Sequence, residues 1–101
     1  MSEVVLAIET DEATSLRLRE ELAKVTNSEV LVQKRENLGG MVADFITILQ
    51  AASPIVTAVV PLIIALINEG KVHRIKIDNI EIENPTEDRF RVSWERRKGG
   101  P

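Results

Sequence analysis

The 101-residue chain has no cysteine and no tyrosine, and only one histidine, one tryptophan and two phenylalanines. Without cysteine there is no disulfide framework, no thiolate zinc site and no cysteine nucleophile, a composition that fits a reducing cytoplasmic setting. Nucleophile and base pairs reduce to Ser or Thr with Lys or a carboxylate, and these occur at no recognisable spacing. The three aromatics, Phe45, Phe90 and Trp94, fall on apolar faces, so no stacking platform for single-stranded nucleic acid is left over. Net charge is −3, the opposite of what a phosphate-binding surface needs. The amino terminus, Met-Ser-Glu-Val-Val-Leu-Ala-Ile-Glu-Thr, lacks the positive start and small-residue cleavage site of a secretory signal, and export by that route is not expected.

What the chain does have is a long run without charge. Met41 to Ile67 spans 27 residues with one formal charge, Asp44, in a chain where 13 Lys or Arg and 16 Asp or Glu make 29 charges. A very apolar middle is flanked by very polar ends.

Before that run, Val4, Leu6 and Ile8 alternate with Val5 and Ala7 as in a strand buried on both faces. Thr10 or Asp11 caps a helix in which Leu18, Leu22 and Val25 share a stripe. Asn27 and Ser28 interrupt the pattern before a second strand over Glu29 to Lys34, with Val30 and Val32 alternating. If those two strands lie parallel in one sheet, the crossover through the helix is right-handed.

Within the run, Glu36-Asn37-Leu38-Gly39-Gly40 reads as a loop, and Val42, Phe45, Ile46 and Leu49 share a helical face. Ser53-Pro54 fits an N-cap followed by proline, so a second apolar helix is expected from Pro54 to about Asn68. Pro61 would introduce an irregularity inside it, and Gly70 would close it. After the run, Ile75, Ile77, Ile80 and Ile82, then Phe90, Val92 and Trp94, alternate with polar residues. Closing a hairpin over Asp78-Asn79 sets Ile77 opposite Ile80, Lys76 opposite Glu81 and Arg74 opposite Glu83. A second hairpin over Asn84 to Asp88 would set Glu83 opposite Arg89, Glu81 opposite Arg91 and Ile82 opposite Phe90. The expected fold is a single α+β domain over residues 1–97, ordered βαβααβββ. It is a two-layer sandwich whose carboxy-terminal meander packs on the apolar helices, with a flexible tail at 98–101.

Each candidate for chemistry has a plainer structural reading. Gly39-Gly40 before a helix could cradle an anion, but the Gly-Lys-Ser or Gly-Lys-Thr of a phosphate loop is absent, and a loop-to-helix turn suffices. His73 is expected on the apolar side at a strand end, with no carboxylates placed to complete a metal site. Asp44 is expected in the first turn of a helix, stabilised by the dipole. Pairing Asp44 with Glu36 as enzyme carboxylates has no support from a shared environment. No catalytic, cofactor-binding or metal residue is therefore assigned, and no cofactor. Arg74, Lys76, Arg89 and Arg91 face carboxylates in the expected register, and Arg96, Arg97 and Lys98 read as a solvated terminus. The uncharged stretch Ala51 to Ile67 is close to the lower limit for a membrane span. Pro54, Pro61, Ser53 and Thr57 lie within it, and no basic excess marks one flank. A buried core, a partner-facing surface and membrane insertion of 41–67 are the three readings of the apolar run.

The sequence of a glycine-containing loop (Glu36-Asn37-Leu38-Gly39-Gly40-Met41), two apolar helices, the turn and strand Val72 to Ile77, and a charged meander resembles the effector-associated constant component domains of bacterial conflict systems. The segment Leu66 to Lys71 departs from that family in having no tryptophan and less basic charge. The resemblance implies a non-catalytic adaptor in the cytoplasm, accessory to an effector. Such a domain would bind a protein partner or a second copy, and not nucleic acid or a small-molecule substrate. The alternative is a small membrane-associated protein that inserts segment 41–67.

Overall fold

The computed structural model describes residues 3–25, 30–36 and 43–98. The elements are β1 (Glu3–Thr10), α1 (Glu12–Val25), β2 (Val30–Glu36), β3 (Ala43–Ala52), α2 (Ser53–Asn68), β4 (Val72–Ile77), β5 (Ile80–Glu83) and α3 (Glu87–Lys98). The strands form one antiparallel sheet in the order β2-β3-β1-β4-β5, and the fold class is α+β. The first six elements follow the β-α-β-β-α-β order of the ferredoxin-like, or split βαβ, motif. β1 and β2 run in the same direction, with β3 lying between them and pairing antiparallel with each. By the same logic α2 joins β3 to β4 across the central strand β1.

Local chemistry accounts for the elements. Asp11 Oδ1 accepts the Thr14 N–H at 2.8 Å, so Asp11 is the N-cap of α1 and holds one of its orphan donors. α2 starts behind Ala52 in extended conformation, with Pro54 in its first turn and no side-chain cap, so Ser53 does not serve as the N-cap. The helix continues through Pro61 as one 16-residue element. It ends in a Schellman motif: Gly70, at φ +73°, donates to the Ile67 carbonyl and Lys71 to the Leu66 carbonyl. The β4–β5 hairpin has the expected register, Ile77 with Ile80, Lys76 with Glu81 and Arg74 with Glu83, and Asp78 takes the positive φ the turn requires.

Two elements differ from expectation. Residues 43–52 form a strand, not a helix. Phe45, Thr47, Leu49 and Ala51 face one way and Asp44, Ile46, Ile48 and Gln50 the other, and with both faces largely apolar the period of two is hidden in a continuous run. Residues 87–98 form a helix, not the third meander strand, so the expected pairings of Glu83 with Arg89 and Ile82 with Phe90 do not occur. Phe90 and Trp94 are buried because they are four apart on one helical face, while Val92, which the alternation required inside, is 57% exposed. Thr86 Oγ1 accepts the Arg89 N–H as N-cap, and Glu87 and Asp88 favour the first turn. Lys98 belongs to this helix, and residues 99–101 lie outside the described residues, as does Gly39-Gly40.

All three helices cover one sheet face. Val4, Leu6 and Ile8 of β1, Leu49 of β3, and Ile75 and Ile77 of β4 form one cluster with Leu18 and Leu22 of α1, Val56, Val59 and Ile63 of α2, and Phe90 and Trp94 of α3. Under α1 the layer is stitched by hydroxyls. Thr10 Oγ1 lies 3.3 Å from Ser15 Oγ, and Ser15 Oγ lies 3.0 Å from Thr47 Oγ1, all three residues being buried.

Candidate functional site

Among the described residues no helix lies on the opposite sheet face. Its occupants follow from the ladders, because residues paired across neighbouring strands share a face. One row reads Leu31, Ile48, Ala7, Lys76, Glu81 from β2 to β5, and the next reads Gln33, Ile46, Glu9, Arg74, Glu83. Each row begins uncharged over β2 and β3 and ends with alternating charge over β4 and β5. Val5 and Gln50, paired with each other, continue the face toward Glu3.

The uncharged half is an apolar strip: Leu31 is 48% exposed, Val5 40%, and Ala7, Ile46 and Ile48 are half-buried. Its relief is uneven. Over the small side chain of Ala7 lies an open depression of about 190 Å³ walled by Glu9, Ile46, Arg74, Lys76 and Glu81. Leu31 stands at the other border of the strip, beside a second depression shared with Glu3, Ile48 and Gln50.

The charged half is internally matched. Arg74 Nη2 lies 3.2 Å from Glu83, and its Nε lies 3.4 Å from Glu81 and 3.9 Å from Glu9. Three carboxylates around one half-exposed guanidinium fix its orientation more than they stabilise the fold, since exposed pairs contribute less than about 1 kcal/mol each. Arg91 pairs with Glu87 within α3 at 2.9 Å, away from this face and from its expected partner Glu81. Arg97 reaches from α3 to Asp78 at 2.7 Å, while the other Asp78 oxygen accepts the Val5 N–H at 2.9 Å. That link ties the end of α3 to the β4–β5 turn and to β1.

His73 is not on the apolar side. The β1–β4 register shifts between Glu9 and Thr10, and the extra residue turns His73 toward Asp44, whose Oδ1 is 3.1 Å from His73 Nδ1. The pair joins a buried carboxylate to a half-exposed imidazole at the edge of the open face. Asp44 is thus a strand residue and not the first-turn residue of a helix, and Glu36, at the end of β2, sits opposite Ala43 in the ladder. Among the described residues no three His, Asp or Glu side chains gather as metal ligands. Two carboxylates are held below their usual range: Asp11 chiefly by the Thr14 backbone N–H, and Glu87 chiefly by the Asn68 amide. Both serve helix ends, and neither lies on the open face.

The open face escaped the sequence reading because it depends on β3. A helix over this segment puts Ile46 on a shared apolar face with Phe45 and Leu49 and leaves no bare sheet face. The available signal was the β-branched triplet Ile46-Thr47-Ile48 in the stretch that leads, through Leu49 to Ala52, into Ser53-Pro54, where a strand can feed a helix start. Scanned against family models, curated proteins and solved structures, the chain gives no match.

Proposed function

We propose that the chain is a non-catalytic protein-interaction module that docks through its open sheet face, as an adaptor accessory to an effector. One observation carries the reading: five apolar side chains on three adjacent strands, Leu31, Ile46, Ile48, Val5 and Ala7, are left uncovered by a fold that buries the other sheet face under three helices. Uncovered apolar area bordered by polar groups is the usual form of a protein-binding surface. The adaptor role and a cytoplasmic setting come from the resemblance to effector-associated constant component domains alone, of which the two apolar helices are here a strand and one helix and the third meander strand is a helix. The depressions on the face are shallow and largely open, which suits side chains of a partner better than a small molecule.

Insertion of 41–67 into lipid fits less well. That segment is not a helical hairpin, because residues 43–52 are hydrogen-bonded on both edges, to β1 and to β2, and freeing them would break two ladders. Among the described residues no helix is long and apolar enough to cross a membrane.

Co-expression of the tagged chain with the products of the genes flanking its own tests the proposal. A flanking product that co-purifies with the wild-type chain and is lost with Ile48→Asp, a variant that keeps the wild-type melting profile, supports it. Co-purification that survives Ile48→Asp, or sedimentation of the chain with anionic vesicles in place of a protein, would sink it.

A further inference from the structure

We infer that the occupant of the open face includes a second copy of this chain, seated by a knob and a hole that a single two-fold axis along β3 exchanges. The inference rests on the docking role proposed for this face and names its partner. Ile48 is paired with Leu31 on one side and with Ala7 on the other, so the exposed leucine and the depression over the alanine flank the same residue at one strand spacing each. Strands lie about 4.8 Å apart, which places knob and hole about 10 Å apart with Ile48 midway. Rotating a copy by 180° about an axis in the plane of the face and along β3 lays β2 over β1 of the partner and β3 over β3. Leu31 then enters the partner's hole over Ala7, and the partner's Leu31 enters the first copy's hole.

The hole suits the knob. Its volume of about 190 Å³ admits a leucine side chain, its floor is a methyl group, and Ile46 supplies an apolar wall. On the same axis Ile48 meets Ile48 and Ile46 meets Ile46, with Gln33 coming over Glu9 of the other copy, an amide facing a carboxylate. On the same axis Asp44 also meets Asp44, each carboxylate lying 3.1 Å from the His73 imidazole of its own chain. The alternative two-fold, across the strands, would set each strand on itself and put Arg74 over Lys76 and Glu81 over Glu83, which charge opposes. With the axis along β3 the ribbon β4–β5 instead projects past the partner's β2 edge, where Lys76 and Arg74 form the outer wall of the hole. An interface of this kind is isologous, each copy offering the same patch. Three strands of about six residues give a footprint of roughly 14 by 20 Å, below the ~800 Å² per partner of a standard interface. The dimer is accordingly expected to be weak, with Kd on the order of 10 to 100 µM.

A knob-and-hole exchange tests the inference. Sedimentation equilibrium from about 10 µM to about 1 mM is expected to show a monomer–dimer equilibrium for the wild type. Leu31→Ala empties the hole and Ala7→Leu fills it, and each is expected to raise Kd by about 10-fold or more. Leu31→Ala combined with Ala7→Leu reverses knob and hole and should recover at least part of the loss, which no general surface damage would do. Circular dichroism melts confirm that each variant is folded. For any variant that is not, contacts between Leu31 methyls of one copy and the Ala7 methyl of another, read in an isotope-filtered spectrum of mixed labelled wild-type chains, supply the same test. A wild-type chain that is monomeric at about 1 mM overturns the inference, as does a dimer indifferent to Ala7→Leu. Neither result touches the co-purification test of a flanking product, so loss of the self-docking site and loss of the adaptor role are read separately.

Discussion

Over β3 and the adjoining part of β1 the two faces of the sheet carry apolar residues in alternate positions of the same strands, yet one is core and the other is surface. On β1, Leu6 is fully buried while its neighbour Val5 is 40% exposed. On β3, Leu49 is 1% exposed while Ile48 beside it is half-buried. The covered face owes its burial to α1, α2 and α3, which together close it with Leu18, Val56, Ile63, Phe90 and Trp94. Among the described residues none covers the open face in this way. Composition alone therefore does not separate fold from function in this chain; the placement of the helices does.

Substitutions that treat the two faces alike should have very different effects. Phe90→Ala, which removes the ring α3 lays against the core, is expected to cost about 3–5 kcal/mol in urea unfolding, and Leu49→Ala about 2–5 kcal/mol. Ile48→Ala, one residue away on the open face, should cost about 1 kcal/mol or less. Equal losses for Leu49→Ala and Ile48→Ala would mean that both faces are interior, and the comparison would fail.

A smaller effect is expected at the seam under α1. Ser15→Ala removes the hydroxyl between Thr10 and Thr47 and leaves the buried Thr47 oxygen without its 3.0 Å partner, at a cost of about 1–3 kcal/mol. Ser93→Ala, on α3 and half-buried, lacks any such network and serves as the control. A neutral Ser15→Ala would show that the hydroxyl chain contributes nothing to closing the covered face.

Smaller again is the cap of α1. Asp11→Ala should cost about 1 kcal/mol near neutral pH. The folded carboxyl titrates below its usual value of 3.8 because it accepts the Thr14 N–H. A depressed acid stabilises above its unfolded pKa and loses that contribution as pH falls through the folded one, so the wild type should lose part of its stability below about pH 4. Asp11→Asn keeps an acceptor and should flatten that part of the profile. An unchanged acid limb in Asp11→Asn would remove the cap from the account. Smallest of all, Arg74→Gln on the open face should change stability by less than about 1 kcal/mol, with the difference fading at about 1 M salt, because three carboxylates around a half-exposed guanidinium are screened. A larger, salt-insensitive loss would mark that half of the face as structural.

Much of the covered face was legible from residues alone. The alternation of Val4, Leu6 and Ile8, the stripe of Leu18 and Leu22, and the hairpin register of Ile77 with Ile80 are local patterns with one good solution each. The apolar half of the open face and the carboxy-terminal helix were not legible, each for a physical reason. A strand apolar on both sides has no visible period, so Phe45 to Leu49 satisfied a helical template by coincidence. In 86–98 the alternation of Phe90, Val92 and Trp94 competed with the four-residue spacing of Phe90 and Trp94, and the cap at Thr86, the acidic first turn and the basic end decided for helix. Segment 41–67, which from composition was one apolar object, is divided at Ser53 into a strand that creates the open face and a helix that closes the other.

The most direct test is a methyl-resolved NMR spectrum of the labelled chain, recorded on dilution from about 1 mM to about 10 µM and again with the flanking gene products. The account predicts shifts confined to Leu31, Ile46, Ile48, Val5 and Ala7, with Leu6, Leu49 and Ile75 unmoved. Shifts centred on α2 or α3, or none on the open face in either series, would contradict it.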